Sequence, residues 1–338
     1  MVEPLVTWYD QNARILPWRE NNAPYGVWIS EIMLQQTRVE TVIPYYERFM
    51  QKLPTVESLA EVGEELLLKL WEGLGFYARV RYLQKAARVI CRDYQGKFPD
   101  SYQKILQLPG IGAYTAGAIV SISFGQPIAA VDGNVLRVIS RLTENEQDIA
   151  SPALKKEITK ALETVYPRSR SGDFTQSLME LGAMICIPHG VPQCTICPVA
   201  FLCRANHHHT QLLLPVQAKK PARKRQLKTI LLLCCEERIA VRKRAAGGLL
   251  GGLWEFPNLE GMLTAEEVRT WLNHCGITVH QVSKGRDQKH IFTHVEWLMS
   301  SYIVNCRTPN SEFVWVTREY LHSDITLPTA FKKFADCW

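Results

Sequence analysis

From Pro4 to about Ala205, apolar positions recur at helical spacing almost without a break. Ile32, Met33, Gln36, Val39, Ile43, Tyr46 and Met50 mark one face of a long helix or a helix pair. The same period returns in EELLLKLWEGL, VRYLQKAARVICRDY, YTAGAIVSISF, NVLRVISRL and LKKEITKALETVY. Breaks at Gly73-Leu74-Gly75, Phe98-Pro99-Asp100, Leu108-Pro109-Gly110 and Asp132-Gly133 separate these patterns. A helical bundle is predicted. After Cys203 the pattern dissolves into the polar, proline-punctuated HHHTQLLLPVQAKKPARKRQ, which predicts a linker. Short β-type runs follow in TILLLCC, RIAVRKR, HIFTHVEWLMSSYIV and FVWVT, with helical patterns in TAEEVRTWLNHCG and LPTAFKKFADCW. The last third therefore predicts a small α/β domain.

With 338 residues, 46% of them hydrophobic and 21% charged, the chain has the composition of globular protein, and its length suits two domains. Collagen-like and low-complexity readings are excluded. The N-terminal MVEPLVTWYDQNARILPWRE lacks the apolar core of a secretory signal, and no apolar stretch reaches membrane-spanning length, so a soluble intracellular protein is expected. The net charge is +6. KKPARKRQLK, residues 219–228, holds six basic and no acidic residues, equal to the whole excess. As a tether it would give salt-sensitive, sequence-blind attraction to a nucleic-acid backbone.

Four features carry candidate chemistry. Of the ten cysteines, Cys91, Cys234, Cys235, Cys275, Cys306 and Cys337 are scattered and read as small hydrophobes. Cys186, Cys194, Cys197 and Cys203, spaced by seven, two and five residues, suit a [4Fe–4S] cube or a tetrahedral zinc; spacing leaves that choice open. In Leu108-Pro109-Gly110-Ile111-Gly112, Gly110 and Gly112 can bring backbone N–H groups and a helix start close to a phosphate, or simply form a tight interhelical turn. Asp132 precedes a helical pattern, where an isolated Asp is ordinarily an N-cap; beside a phosphate grip it can instead stabilise an oxocarbenium-like sugar. Glu31 stands among apolar residues, where burial would raise its pKa toward that of a general acid, although by itself a first-turn surface Glu complementing the helix dipole is the ordinary reading. Gln35 and Arg38 are expected on its helical face.

These motifs stand in the order found in the endonuclease III superfamily of DNA glycosylases. LPWR (16–19), SEIMLQQTRVETV (30–42), WEGLGFYARVR (71–81), LPGIGAYTAGAI (108–119), AAVDGNVLRV (129–138) and LGAMIC (181–186) resemble its adenine DNA glycosylase (MutY) branch. RKRAAGGLLGGLWEFPN resembles that branch's C-terminal domain, similar in fold to Nudix hydrolases. The resemblance implies a multidomain protein with an all-α helix-hairpin-helix core, a [4Fe–4S] loop and an α/β Nudix-like domain. Its expected parts are a six-helix domain (23–133), a cluster domain (1–22 and 134–205), a basic linker (206–226) and a lesion-recognition domain (227–338).

The implied activity is excision of adenine flipped out of duplex DNA opposite 8-oxoguanine or guanine, by a monomeric, cytoplasmic protein of bacterial type, nucleoid-associated when on DNA. By the match, Glu31 would protonate adenine, Asp132 would stabilise the sugar cation, and Tyr114 and Asn134 would support both. A tyrosine at 114, where the related lyases carry lysine, implies a monofunctional glycosylase. Leu16, Trp18, Arg19, Val39 and Gln176 match the adenine pocket. Gln36, Thr37, Leu74 and Tyr77 match positions that wedge beside or contact oxidised guanine, with Tyr77 slipping between bases. Phe292-Thr293-His294 matches a Phe-Ser-His loop that probes the lesion. The family's cysteines carry a [4Fe–4S] cluster, which decides against zinc.

The chain departs from the pattern in places. Its first cysteine spacer has seven residues for the usual six, and His189 is that loop's only basic residue. VRTWLNHCGI lacks the glutamates of a Nudix magnesium box, so pyrophosphohydrolase activity is not expected. Two other readings are a bifunctional endonuclease III-like glycosylase/lyase and a non-catalytic iron–sulfur protein that binds DNA or carries electrons.

Overall fold

The computed structural model describes residues 1–218 and 221–338. The helices of the N-terminal region are α1 (Val2–Asn12), α2 (Pro24–Leu34), α3 (Val39–Lys52), α4 (Val56–Glu61), α5 (Glu64–Leu70) and α6 (Ala78–Tyr94). They continue with α7 (Tyr102–Leu106), α8 (Ala113–Phe124), α9 (Gly133–Thr143), α10 (Pro152–Glu163), α11 (Ser171–Met184) and α12 (Arg204–His207). Strands β1 (Lys224–Cys235), β2 (Arg238–Lys243), β3 (Trp254–Glu255) and β4 (Asn258–Glu260) precede α13 (Ala265–His274). After it come β5 (Val279–Lys284), β6 (Gln288–Ile291), β7 (Val295–Cys306), β8 (Val314–Thr317), α14 (Arg318–Ser323) and α15 (Thr329–Lys332). Among the described residues no helix is long and apolar enough to cross a membrane.

The chain forms two compact units, Met1–Glu61 with Arg81–Lys219, and Val62–Val80 with Lys220–Trp338. The regions expected as a six-helix domain and a cluster domain thus share the first unit, apart from Val62–Val80. There, α2 and α8 are buried along nearly their whole length, which suits their unbroken apolar sequences. A second core forms where Leu5 of α1, Val135 of α9, Leu154 of α10 and Leu178 of α11 meet. Gly182 matters here: a Cβ would stand 2.6 Å from Cβ of Asn134, so only glycine lets α11 approach the start of α9 this closely.

Of the long helix or helix pair expected at 28–50, the structure has the pair. α2 stops at Leu34, Gln36 takes a φ of +58°, and α3 starts at Val39. Gln35 and Arg38 therefore do not continue the helical face of Glu31, contrary to the expectation from spacing.

In the second unit a sheet runs in the order β3-β2-β1-β7-β5, with β4 paired to β1, β6 to β7 and β8 to β2. β1 and β7 are parallel, from Lys224 opposite Val295 to Cys234 opposite Asn305. Both faces of β1 are covered: Ile230 and Leu232 enter one core, Leu231 and Leu233 the other, as period-two alternation requires.

The basic run is not a free tether. Lys219 and Lys220 lie outside the described residues, but β1 begins at Lys224, and Lys228 is 4% exposed and paired with Glu260 at 2.5 Å. Arg225 pairs with Glu296 at 3.1 Å. Upstream, Leu214 is buried and its carbonyl accepts from Arg141 Nε at 2.9 Å, while His208 pairs with Glu144 at 2.6 Å. The charged run continues β1 because Lys224 to Lys228 pair in register with Val295 to Met299 of β7, a long-range partner that composition does not report.

Candidate active site

Glu31 lies on α2 and is 6% exposed. Tyr114, the second residue of α8, donates its hydroxyl to Glu31 Oε2. Burial pushes the Glu31 carboxyl up to about 7, the Tyr114 hydrogen bond opposes this, and nearby Asp132 adds to the rise. Tyr114, itself pushed well up by burial and by the two carboxylates, stays protonated.

Asp132 is the N-cap of α9, accepting from Val135 N–H at 2.8 Å. The capping geometry and a site role coexist, because the second carboxylate oxygen accepts from Asn134 Nδ2 at 2.9 Å and faces the same cavity. Burial raises the Asp132 pKa, while the Val135 and Asn134 donors oppose it. Asp132 thus has more donors to its charged form than Glu31 has. Two carboxyls in one site are divided into an acid and a base by such differences.

Both face a cavity of about 920 Å³ in the first unit. Leu16, Trp18, Arg19, Val39 and Gln176 line it, as do Gln36 and Thr37. Leu16 and Trp18 are buried, with the Trp18 ring edge-on to Tyr46 at 5.4 Å.

Sequence spacing did not reveal Glu180, Arg14 or Arg137. Glu180, 1% exposed on α11, accepts from Arg14 Nε at 2.8 Å and Arg19 Nη2 at 2.9 Å. Burial pushes its carboxyl up, but the two guanidiniums outweigh burial and hold it down at about 2. A charged residue inside the apolar run SLMELGAM was the available signal. Arg137 donates to Asn134 Oδ1, to Gly182 O and to Cys186 O, each at 2.8 Å. It ties the Asp132 support to the start of the cysteine loop.

Cys186, Cys194, Cys197 and Cys203 line one cavity, closed by Val138, Leu181, Ile185 and Val199. Arg141 Nη1 donates to Cys186 Sγ at 3.3 Å. Burial pushes the Cys194, Cys197 and Cys203 thiols up, Cys197 to about 11, and the neighbouring cysteines add to it. Four soft sulfur donors around an apolar hollow fit a thiolate-ligated iron–sulfur group.

Gly110 has a φ of +76°, and a Cβ there would stand 2.5 Å from Cβ of Tyr82. Gly112 caps α8 with open space beside it. In the second unit Leu74 and Tyr77 are each 6% exposed, and Gly73 N–H donates to the Tyr77 hydroxyl at 3.4 Å. The exposed ring of that turn is Phe76, 50% exposed with a φ of +46°. Phe292-Thr293-His294 forms the hairpin turn between β6 and β7, with Thr293 and His294 exposed and the Phe292 ring 4.9 Å from Trp297.

Residues 29–168 match the HhH-GPD superfamily of base excision DNA repair proteins, and residues 229–336 match the NUDIX domain family. The chain is 34% identical to the adenine DNA glycosylase of Homo sapiens over 97% of its own length and 72% of that protein. It is 32% identical to that of Buchnera aphidicola subsp. Baizongia pistaciae, covering 93% of this chain and 90% of the relative. The solved structure of a thermostable thymine-DNA glycosylase covers 61% of this chain and 95% of its own, at 32% identity and a TM-score of 0.56. With both domain families matched in order and relatives above 30% identity covered over most of their length, this chain belongs to the adenine DNA glycosylase family, enzymes of base excision repair that cleave the N-glycosyl bond.

Proposed function

We propose that the enzyme excises adenine mispaired with 8-oxoguanine or guanine from duplex DNA and leaves an abasic site. The observation that carries this reading is the pairing of a buried carboxyl raised to about 7 with a well-supported second carboxylate across one cavity large enough for a purine. Glu31, protonated, gives its proton to adenine N7. The C1′–N9 bond then breaks with its electron pair leaving on adenine. Asp132, ionised and held by Val135 and Asn134, stabilises the sugar cation until water adds to C1′ and releases a proton.

Tyr114 is held by Glu31, and a phenol cannot form the Schiff base of a lyase. Among the described residues Lys155 is the one lysine lining the cavity, and it sits exposed on α10. The enzyme is therefore proposed to be monofunctional. Borohydride treatment of the enzyme with substrate duplex should trap no covalent complex, and a trapped complex abolished by Lys155→Ala would overturn the monofunctional reading.

Adenine occupies the cavity lined by Leu16, Trp18, Arg19, Val39 and Gln176, with Arg19 oriented by Glu180. The Gly110–Gly112 turn meets a phosphate. Phe76, rather than the buried Tyr77, supplies the exposed ring that slips beside the opposite base, and Phe292-Thr293-His294 reads the 8-oxoguanine edge. Cys186, Cys194, Cys197 and Cys203 would hold a [4Fe–4S] cluster, which when bound cross-links the loop through four iron–sulfur bonds. The protein acts as a cytoplasmic monomer on DNA. A single-turnover assay with A:8-oxoguanine, A:G, A:C and oxidised-pyrimidine duplexes tests the assignment; release of pyrimidine but not adenine would overturn it.

A further inference from the structure

The turn that bears Phe76 belongs to the same compact unit as the Nudix-like sheet. It is stiff on its own account. Trp71 is fully buried and its indole N–H donates to Gly75 O at 3.0 Å. Arg79 Nη2 donates to Leu74 O and Gly75 O, both at 3.2 Å, and its guanidinium lies 5.3 Å from the Trp71 ring centre and 5.5 Å from that of Phe76.

Just upstream, two shielded charges fasten this turn to the C-terminal segment. Lys69 Nζ donates to His322 O at 2.7 Å and Ile325 O at 3.0 Å, carbonyls at the end of α14 and just after it. Glu72 accepts from Leu327 N–H at 3.0 Å and pairs with Lys69 at 3.1 Å and Lys332 at 3.6 Å. The Lys69 and Glu72 side chains are 22% and 11% exposed. The segment they grip is no loose tail. Ile325, Leu327 and Phe331 are core residues, Phe331 lies edge-on to Trp297 at 5.9 Å, and Trp297 lies edge-on to Phe292 at 4.9 Å. A continuous packed path therefore joins the Phe292–His294 loop to the Phe76 turn, and Lys69 and Glu72 form its polar step.

We propose that Lys69 and Glu72 are positioning residues that couple the Phe292-Thr293-His294 loop to the Gly73–Tyr77 turn, so that the loop's contact with the opposite base sets how Phe76 is presented. This rests on the proposed reading of 8-oxoguanine by that loop. Partly shielded hydrogen bonds to charged groups are directional and shared by both elements, which gives the two a common arrangement that either can bias.

A double-mutant cycle tests it. Single-turnover rate constants on A:8-oxoguanine and A:G duplexes are measured for the full-length wild type, Glu72→Ala, His294→Ala and the double variant, each with its melting curve. The proposal expects each single variant to lower the A:8-oxoguanine over A:G preference by about fivefold or more, and the double variant to lower it no further than the stronger single. The A:G rate of Glu72→Ala should stay within about twofold of wild type. Multiplying effects, or equal losses on both duplexes, would overturn the coupling. If Glu72→Ala does not fold, Lys69→Met leaves the Glu72–Leu327 bond intact and should give the same non-additive pattern at smaller size; additivity there overturns the proposal too. A wild type without preference for 8-oxoguanine overturns both the reading and the coupling, whereas a wild-type preference untouched in the Glu72 and Lys69 variants overturns the coupling alone.

Discussion

The Arg137 guanidinium donates to Asn134 Oδ1 at 2.8 Å, leaving the Asn134 amide oriented to donate to Asp132. The same guanidinium holds the carbonyl of Cys186, so one buried side chain serves both the catalytic carboxylate and the first cysteine of the loop. A hydrogen bond to a charged group contributes about 1.5–3 kcal/mol, and tenfold in rate corresponds to about 1.4 kcal/mol. Arg137→Gln should therefore slow base excision by roughly tenfold to a hundredfold under single turnover. Iron analysis of the same variant should still find about four iron per chain. A rate loss that tracks loss of iron would mean that Arg137 braces only the loop.

Replacing Glu31 should move activity and stability in opposite directions. Its carboxyl is raised from an ordinary value of 4.5 to about 7, chiefly by burial. The acid form does the chemistry, so the single-turnover rate should hold below pH 7 and fall about tenfold per pH unit above it. For stability, the folded chain holds a proton that the unfolded chain releases near 4.5. This contribution is complete below that pH and is lost as pH rises through 7. Glu31→Gln removes the ionisation, so at pH 8 it should be inactive yet more stable than wild type, by up to about 3 kcal/mol. Denaturant melts at pH 5 and pH 8 measure this; a destabilised Glu31→Gln at pH 8 would contradict it.

Glu180 has the reverse sign. Its guanidinium partners hold the carboxyl at about 2 despite burial, so its contribution is present above 4.5 and is lost as pH falls toward 2. Glu180→Ala leaves Arg14 and Arg19 without their shared buried anion and should cost about 3–5 kcal/mol at pH 7. The difference from wild type should shrink by pH 3. Since Arg19 lines the cavity, KM should rise as well, and an unchanged KM in the folded variant would place Arg19 outside adenine binding.

The two hairpin glycines should separate folding from DNA contact. Gly110→Ala meets Tyr82 at a backbone conformation that disfavours any side chain, and should destabilise by about 1–3 kcal/mol. Gly112→Ala meets open space and should fold normally while weakening duplex binding, because the added methyl stands where a phosphate would approach. Thermal melts and duplex Kd values for both variants decide; equal binding by Gly112→Ala and wild type would move the phosphate elsewhere.

The legible parts of this molecule are those whose signal is local. The helical period locates α8 and α9, and Asp132 fits both a cap and a site residue in the sequence, and it caps; the apolar neighbours of Glu31 leave a surface reading in front, which its burial overturns. Glu180 and Arg14 escaped because their bond spans a long stretch of sequence that no periodic pattern reports. Composition makes the basic run a tether, because nothing local in it reports the parallel β7 partner that takes up its second half, where Lys228 also finds Glu260. Tyr77 was favoured as the wedge because the turn's sequence does not say which of two adjacent aromatics faces outward. The positive φ of Phe76 decides that, and it puts Phe76 outside and Tyr77 inside.

The central claim is tested most directly by the single-turnover rate of adenine release from an A:8-oxoguanine duplex with Asp132→Asn. The substitution keeps the Val135 cap in shape and removes only the charge that faces the sugar cation. The variant should be a folded, duplex-binding protein whose base release is slowed by at least about a thousandfold. Release at the wild-type rate would contradict it.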